Sequence, residues 1–283
     1  GMQQTIDDVT IFCDGLDHPE CVAVHSDGSI WAGGEGGQVY RISPDGKEIK
    51  EVTNTGGFVL GIAFSPNEEW LAICDLKKRC IWQYHLQTGD LTLFAREVNG
   101  NAIRIPNYPV FDTKGALYVS ESGVFREVSG AIYKFSSKGK GEVWHKGPLN
   151  FANGMALSAN QKILYVVCSF LPGVEQIVIN EDGTAGERSI LLLLPQTCPD
   201  GIAIDRKGNI FISCYAPNTI YQLSPDGHLT TFIHDWEAHT ICNPTNIAFG
   251  GENHQKLFIA NLGRWHIARM EMQVPGLSLT QTS

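Results

Sequence analysis

Residues 199–205 read Pro-Asp-Gly-Ile-Ala-Ile-Asp, and residues 152–158 read Ala-Asn-Gly-Met-Ala-Leu-Ser. The same short phrase returns at intervals of about 45 residues, and its six copies begin at Glu20, Leu60, Asn107, Asn153, Asp200 and Thr245. A strand-forming phrase repeated with this period is typical of a β-propeller, in which each repeat forms one blade. The sequence therefore predicts a ring of six blades.

The residues after each copy alternate between apolar runs and turn signals. After Asp200, a turn at residues 205–208 separates the first run from Ile210-Phe-Ile, and a third run begins at Thr219. Asp, Asn and Gly supply the backbone conformations that tight hairpins need. Runs rich in β-branched and aromatic residues favour strands. Each repeat is therefore predicted to be a four-stranded antiparallel blade.

The last repeat has room for three strands only. Residues 8–13, Asp-Val-Thr-Ile-Phe-Cys, read as a strand that precedes the first blade. We expect this N-terminal strand to join the last blade, because closing the ring removes an exposed sheet edge. The prediction is an all-β, six-bladed β-propeller of four-stranded antiparallel blades, with residues 1–283 forming one domain. The polar tail, residues 273–283, is predicted to be loosely ordered.

Composition excludes several classes of partner. The net charge is −9 and no Lys/Arg-rich run occurs, so we expect no binding to nucleic acid. No apolar stretch is long enough to span a membrane, and the start lacks the pattern of a signal peptide. The eight cysteines show no C-x-x-C pair or zinc-type spacing, which indicates reduced thiols and a cytoplasmic location. A small-molecule partner is expected, and the oligomeric state is not predicted.

Four of the six copies open on a side chain that carries oxygen: Glu20, Asn107, Asn153 and Asp200. The first strand of each blade lines the central channel, so these side chains are expected to meet at one mouth. Two carboxylates and two amides form a hard, oxygen-only ligand set, which suits one divalent cation such as Ca²⁺, Mg²⁺ or Mn²⁺. In the alternative interpretation they only cap the channel and hydrogen-bond to strand ends or water. Asn-Gly and Asp-Gly are also ordinary turn formers.

The phrases at Pro106-Asn107, at residues 152–158 and at residues 199–205 resemble the blade-opening motifs of the SMP-30/gluconolactonase/LRE family. The resemblance implies a six-bladed propeller with one axial divalent ion, commonly Ca²⁺, and hydrolysis of lactones or related esters. It implies that Glu20, Asn153 and Asp200 bind the metal. Asn107 would be a further ligand or a substrate contact. Asp200 would also be the catalytic base, or would orient the attacking water.

The chain departs from the family pattern at three places. The family often has Arg where this chain has Ile105, with Arg104 one residue earlier, and an acid where it has Tyr108. Sugar-acid lactones are therefore not favoured as substrates, and Arg104 and Tyr108 become candidate substrate contacts. The Cys21-Val22 pair after Glu20 resembles the strictosidine-synthase-like branch of these propellers.

A second ring of positions is predicted at the same mouth, where the second strands end: Gly34, Asp75, Glu121, Cys168, Cys214 and Asn261. Glu121, Cys168 and Cys214 are candidate substrate contacts, although inert thiols and a structural Glu121 are the alternatives. His18 is a further candidate because it lies close to Glu20. Aromatic residues follow several second strands and form either an apolar lid or a cover for blade ends: Phe125, Phe170, Tyr215 and Trp265.

The leading functional prediction is a metal-dependent lactonase or esterase, with the cation polarising the carbonyl group. A non-catalytic binding propeller is one alternative, because a fold does not determine a function. A strictosidine-synthase-like enzyme that needs no metal is the other.

Overall fold

The computed structural model describes residues 4–277, and this part of the chain is almost entirely β-strand. The first strands along the chain are β1 (Val9–Asp14), β2 (Cys21–Val24), β3 (Ile30–Gly33), β4 (Gln38–Ile42), β5 (Ile49–Asn54), β6 (Val59–Phe64), β7 (Trp70–Asp75), β8 (Cys80–His85), β9 (Leu91–Ala95), β10 (Glu97–Val98), β11 (Asn101–Ala102), β12 (Pro106–Phe111) and β13 (Leu117–Glu121). The remaining strands are β14 (Gly130–Phe135), β15 (Gly141–Leu149), β16 (Ala152–Leu157), β17 (Ile163–Cys168), β18 (Gly173–Ile179), β19 (Ala185–Leu193), β20 (Cys198–Ile204), β21 (Ile210–Ala216), β22 (Thr219–Leu223), β23 (Leu229–His234), β24 (Pro244–Gly250), β25 (Lys256–Asn261) and β26 (His266–Glu271). The helical segments within residues 4–277 are two 3₁₀ turns, Ile6–Asp8 and Glu252–His254, and a search of this part finds no helix capable of crossing a membrane.

The strands form six four-stranded antiparallel sheets, which confirms the predicted six-bladed propeller. Five blades are continuous in sequence: β2–β5, β6–β9, β12–β15, β16–β19 and β20–β23. The sixth has the order β1-β26-β25-β24, with Val9 opposite Met270 and Asp14 opposite His266. The N-terminal strand therefore completes the last blade, as predicted. The short two-stranded ribbon β10-β11 was not predicted from the repeat pattern.

Apolar side chains pack between neighbouring blades. Each of the six interfaces contains one buried cluster; Phe111 and Phe135, for example, pack against residues of the preceding blade. The strands carry apolar side chains on both faces of a blade, because each blade is covered on both sides by its neighbours. This packing holds the blades face to face and leaves the first strands around the central channel.

The first strands contact one another in ring order: β2, β6, β12, β16, β20, β24 and back to β2. In five blades a β-bulge interrupts the pairing between the first and second strands, and it lies at Leu60, Asn107, Asn153, Asp200 and Thr245. A bulge adds an unpaired residue and redirects its side chain, which is why bulges are common beside functional sites. The repeated phrase therefore encodes a bulge as well as a strand.

The glycines after these positions allow adjacent blades to approach closely. A Cβ atom on Gly154 would lie 2.5 Å from the Asp200 carbonyl oxygen, and one on Gly201 would lie 2.3 Å from the Thr245 carbonyl oxygen. Both glycines lie within strands and neither has a positive φ. The alternative interpretation of Asn-Gly and Asp-Gly as turns is therefore wrong, and close packing explains the glycine.

The beginning of the polar tail is bound to the propeller. The Gly276 N–H donates to the His254 carbonyl oxygen at 2.9 Å, and the Leu277 N–H donates to the Ile204 carbonyl oxygen at 3.0 Å. The prediction of loose order is therefore wrong for residues 273–277. Residues 278–283 lie outside the described part of the chain.

Candidate metal centre and active site

Four oxygen-bearing side chains are buried at one mouth of the channel. Glu20, Asn107, Asn153 and Asp200 are each less than 9% exposed. The Asn153 amide nitrogen donates to Asp200 Oδ2 at 3.3 Å and to Ser169 Oγ at 3.1 Å. The Asn107 amide nitrogen donates to Ser122 Oγ at 3.0 Å. Because these nitrogens are engaged, the amide oxygens are the atoms left for a ligand.

The two carboxyl groups resist ionisation in this environment. Burial raises the pKa of Glu20 well above its usual range, and the neighbouring charges of Asp200 and Glu35 raise it further. Burial also raises the pKa of Asp200, to about 7, although the hydrogen bond from Asn153 lowers it. Two buried carboxylates that repel each other favour a proton or a cation between them. The electrostatics of the mouth therefore suit a positively charged ligand.

Two buried oxygen atoms in this site lack a hydrogen-bond partner within the described residues: Asn153 Oδ1 and Asp200 Oδ1. Leaving a buried acceptor unsatisfied costs about 1–3 kcal/mol. The two atoms belong to side chains that are already hydrogen-bonded to each other, so they are available to the same ligand. A carboxylate and amide donor set fits Ca²⁺, Mg²⁺ or Mn²⁺ and does not fit zinc or copper.

A set of serine side chains, which the sequence analysis missed, links the blades beneath the site. The Ser169 hydroxyl donates to the Pro199 carbonyl oxygen at 2.7 Å, and the Ser122 hydroxyl donates to the Ala152 carbonyl oxygen at 2.7 Å. Ser213 donates in the same way to the Thr245 carbonyl oxygen. Each bond connects the second strand of one blade to the opening of the next. The recurrence of serine near the ends of second strands was a signal for this role.

Three residues of the predicted second ring hold the chain that leads into a first strand. Asp75 accepts from the Phe58 N–H at 3.0 Å. Glu121 Oε1 accepts from the Arg104 and Ile105 N–H groups, both at 3.0 Å. Asn261 Oδ1 likewise accepts from the Cys242 N–H at 2.9 Å, two residues before β24. These side chains therefore share a structural role.

Glu121 also has a second carboxylate oxygen that takes no part in these backbone hydrogen bonds. Its Oε2 atom is buried without a partner among residues 4–277. Burial raises the pKa of Glu121 to about 6, against the lowering effect of its backbone hydrogen bonds and of Arg104. The Arg104 side chain is half-exposed, with Nε 4.0 Å from Glu121 Oε1.

The two candidate thiols lie in the apolar clusters between blades and not at the axial mouth. Cys168 Sγ donates to Glu175 Oε2 at 3.4 Å, and Glu175 forms an ion pair with Arg188. Burial raises the pKa of Cys168 strongly and that of Cys214 to about 12. Both thiols are enclosed and burial opposes their ionisation, so neither is positioned to contact a ligand or to act as a nucleophile. All eight cysteines are unpaired, as the sequence predicts.

The last two predicted substrate contacts lie on either side of the candidate metal centre. Tyr108 lines an apolar cavity of about 300 Å³ in the other half of the channel. His18 lies at the rim, where Nδ1 is 2.8 Å from the Leu262 carbonyl oxygen and the ring packs against Trp265. One potential ligand atom from each of Asp17, His18 and Glu35 lies within 4.8 Å of the others, although these side chains are only partly buried or exposed.

Comparison with known proteins gives two matches to family models. The model of the SMP-30/Gluconolactonase/LRE-like region matches residues 60–262, which is well over half of the chain. A model of the strictosidine synthase-like N-terminal region matches residues 10–42. The second match covers the Glu20-Cys21-Val22 segment that departs from the first family's pattern.

Individual relatives are distant. A gluconolactonase of Zymomonas mobilis is 27% identical over 211 residues, which cover 68% of this chain and 57% of that protein. This chain thus spans less than two thirds of that relative's length. A gluconolactonase structure from Xanthomonas campestris superposes with a TM-score of 0.79 at 20% identity, covering 94% of this chain and 89% of the other. A calcium-binding regucalcin from Agrobacterium tumefaciens gives 0.78 at 15% identity, covering 94% of both chains. The two structures establish likeness of fold.

Proposed function

The chain belongs to the SMP-30/gluconolactonase/LRE-like family, and on that premise we propose that it is a divalent-metal-dependent hydrolase of a lactone or related ester. One observation carries the proposal. Asn153 Oδ1 and Asp200 Oδ1 are buried, lack a partner in the described chain and lie beside a second buried carboxylate. A bound cation would offset the cost of this arrangement, and the family match together with the gluconolactonase relative supports hydrolysis as the reaction.

In this proposal Glu20, Asn107, Asn153 and Asp200 hold one cation. Ca²⁺ is the first choice, because the donors are carboxylate and amide oxygens and because a structural relative is described as calcium-binding. Mg²⁺ and Mn²⁺ are the alternatives. When bound, the cation supplies polarisation of the substrate carbonyl and stabilisation of the oxyanion that develops there.

Asp200 is proposed to position the attacking water. The amide nitrogen of Asn153 holds Oδ2 at 3.3 Å, so the carboxylate is fixed. Oδ1 carries two lone pairs, one for the cation and one to accept a hydrogen bond from water. Its pKa of about 7 without metal would suit a general base near neutral pH. A bound cation lowers that pKa, so the role in the loaded enzyme is either proton acceptor or water-orienting ligand. Asn107, and at the rim His18 and Arg104, remain proposed substrate contacts.

The experiment combines metal content with activity. Elemental analysis of the purified protein before and after chelation would be paired with a panel of lactones and aryl esters. We expect about one divalent ion per chain, loss of hydrolysis on chelation and recovery on adding Ca²⁺. Asp200→Ala should lose both metal and activity while keeping the fold. Asp7→Asn, at an exposed position on the N-terminal 3₁₀ turn, is the matched surface control.

Two results would overturn the proposal. Hydrolysis that survives both chelation and Asp200→Ala would favour a metal-independent enzyme, the alternative that the match to the strictosidine synthase-like N-terminal model supports. A tightly bound ion with no hydrolysis of any lactone or ester would favour a binding propeller.

A further inference from the structure

Three phenylalanine rings form a cluster at the surface. Phe125 follows β13, Phe151 lies between β15 and β16, and Phe170 follows β17. The ring centroids of Phe151 and Phe170 are 4.9 Å apart, and Phe125 lies 6.0 Å and 5.7 Å from them. Phe125 is 58% exposed and Phe170 is 42% exposed. This phenyl cluster therefore presents an aromatic surface to solvent, which is unfavourable unless something covers it.

The phenyl cluster is attached to the residues that hold the two axial amides. Phe151 precedes Asn153 by two residues. Phe170 directly follows Ser169, whose hydroxyl oxygen accepts from Asn153 at 3.1 Å. Phe125 lies three residues after Ser122. The Ser122 hydroxyl oxygen accepts a hydrogen bond from the Asn107 amide nitrogen. The three rings are therefore linked through the chain to the candidate metal centre, on the side of blades three and four.

The backbone at Phe151 is strained. Its φ is +63°, in the left-handed region that favours glycine and disfavours bulky side chains. Two hydrogen bonds maintain the conformation: the Phe151 N–H donates to the Leu149 carbonyl oxygen at 3.0 Å, and its own carbonyl accepts from the Ser169 N–H at 3.1 Å. Strain of this kind gathers at functional sites, where the surrounding structure holds it in place. A phenyl ring is thus kept at a turn that glycine would form more easily.

We propose that the phenyl cluster binds an apolar aryl or alkyl group of the substrate and so determines specificity. This inference rests on the proposed hydrolase function. The substrate class is then a lactone or ester with such a group attached near the reacting carbonyl, held between the phenyl cluster and the candidate metal centre. Aromatic rings bind an apolar group through burial and edge-to-face contacts.

The test compares γ-phenyl-γ-butyrolactone with unsubstituted γ-butyrolactone. The measured quantity is the ratio of kcat/KM for the two, in wild type and in the double variant Phe125→Ala/Phe170→Ala. We expect wild type to prefer the phenyl compound and the double variant to lose about tenfold in the ratio. Ile190→Ala/Leu193→Ala, at exposed positions of β19 in blade four, is the matched control and should keep the ratio. An equal change for both substrates would mean that the rings only pack the loops, and would overturn the inference.

Phe151→Gly separates specificity from stability. Glycine relieves the positive φ, which offsets the extra freedom it gives the unfolded chain, so this variant should keep the fold and still show a reduced ratio. A wild-type ratio in a stable Phe151→Gly protein would contradict a role for its ring.

A binding measurement separates this inference from the proposed function. γ-Phenyl-γ-butyrolactam resists hydrolysis, and calorimetry reports its affinity whether or not the protein is a lactonase. If no lactone is hydrolysed but the phenyl lactam binds wild type at least tenfold more tightly than the double variant, the hydrolase proposal fails and the binding role of the cluster stands. If the phenyl lactam binds no better than unsubstituted butyrolactam, the cluster is not a binding site for an apolar group.

Discussion

The buried carboxyl group of Asp200 makes the stability of the metal-free protein depend on pH. Its pKa rises from an ordinary 3.8 to about 7 on folding, chiefly through burial. A raised carboxyl pKa means that the folded state holds the proton more tightly. That stabilisation is fully present below the unfolded pKa and is lost as the pH rises through the folded pKa. We therefore expect the metal-free protein to lose stability between about pH 5 and pH 8.

The magnitude follows from the two pKa values. With Asp200 ionised in both states, the penalty on the folded state is about 4 kcal/mol, and about 2–3 kcal/mol of it develops between pH 5 and pH 8. For a domain of this size that change lowers Tm by roughly 5 °C. A bound cation favours the ionised form, so saturating Ca²⁺ should raise Tm most at the higher pH.

Thermal unfolding in a chelator and in excess Ca²⁺, across this range of pH, provides the measurement. Asp200→Asn removes the charge while keeping the shape, and it also relieves the repulsion on Glu20. This variant should show a flatter pH dependence in chelator and little response to Ca²⁺. Asp7→Asn, on the exposed 3₁₀ turn, should behave as wild type. A chelated wild-type protein as stable at pH 8 as at pH 5, or an Asp200→Asn protein with the same slope, would refute the reasoning.

Other residues give sharper local tests. Ser169→Ala removes the partner that orients Asn153, so metal affinity measured by calorimetry should fall about 10–100-fold with the fold intact. Gly201→Ala places a Cβ 2.3 Å from the Thr245 carbonyl oxygen, and denaturant unfolding should show a loss of about 1–3 kcal/mol; an unchanged midpoint would contradict the close-packing role. Asp235→Ala leaves four backbone N–H groups without their acceptor and should cost about 2–4 kcal/mol by the same assay. Cys168→Ala should keep kcat/KM on every lactone, and a marked loss of activity would restore a catalytic role for the thiol.

The sequence predicted the ring because every blade repeats one phrase, and the number of copies gives the number of blades. The repeat also showed that the last blade has only three strands of its own, and β1 supplies the fourth. It also placed the side chains of the candidate metal centre within two residues of where the first strands begin. The bulge at Asn107, Asn153 and Asp200 was not predictable from alternation, because an extra residue in a short strand looks like a change of register. The direction of the Cys168 side chain was missed for a different reason. A residue that closes a second strand faces either the channel or the neighbouring blade, and the ion pair of Glu175 with Arg188 lies too far along the chain to reveal which.

Closure of the ring and assembly of the candidate site are linked through Glu20. The Glu20 carbonyl oxygen accepts hydrogen bonds from the Thr245 hydroxyl and from the Asn246 N–H, so the last blade holds the backbone of Glu20, the first residue of the candidate metal centre. That last blade exists as a four-stranded sheet only because β1 pairs with β26. A ligand held jointly by Glu20, Asn153 and Asp200 therefore draws together blades one, four and five, and it stabilises only the closed ring. Because the open chain lacks the assembled site, binding free energy contributes directly to the free energy of closure. The repulsion between the two buried carboxylates opposes closure in the metal-free protein, and a bound cation removes that opposition.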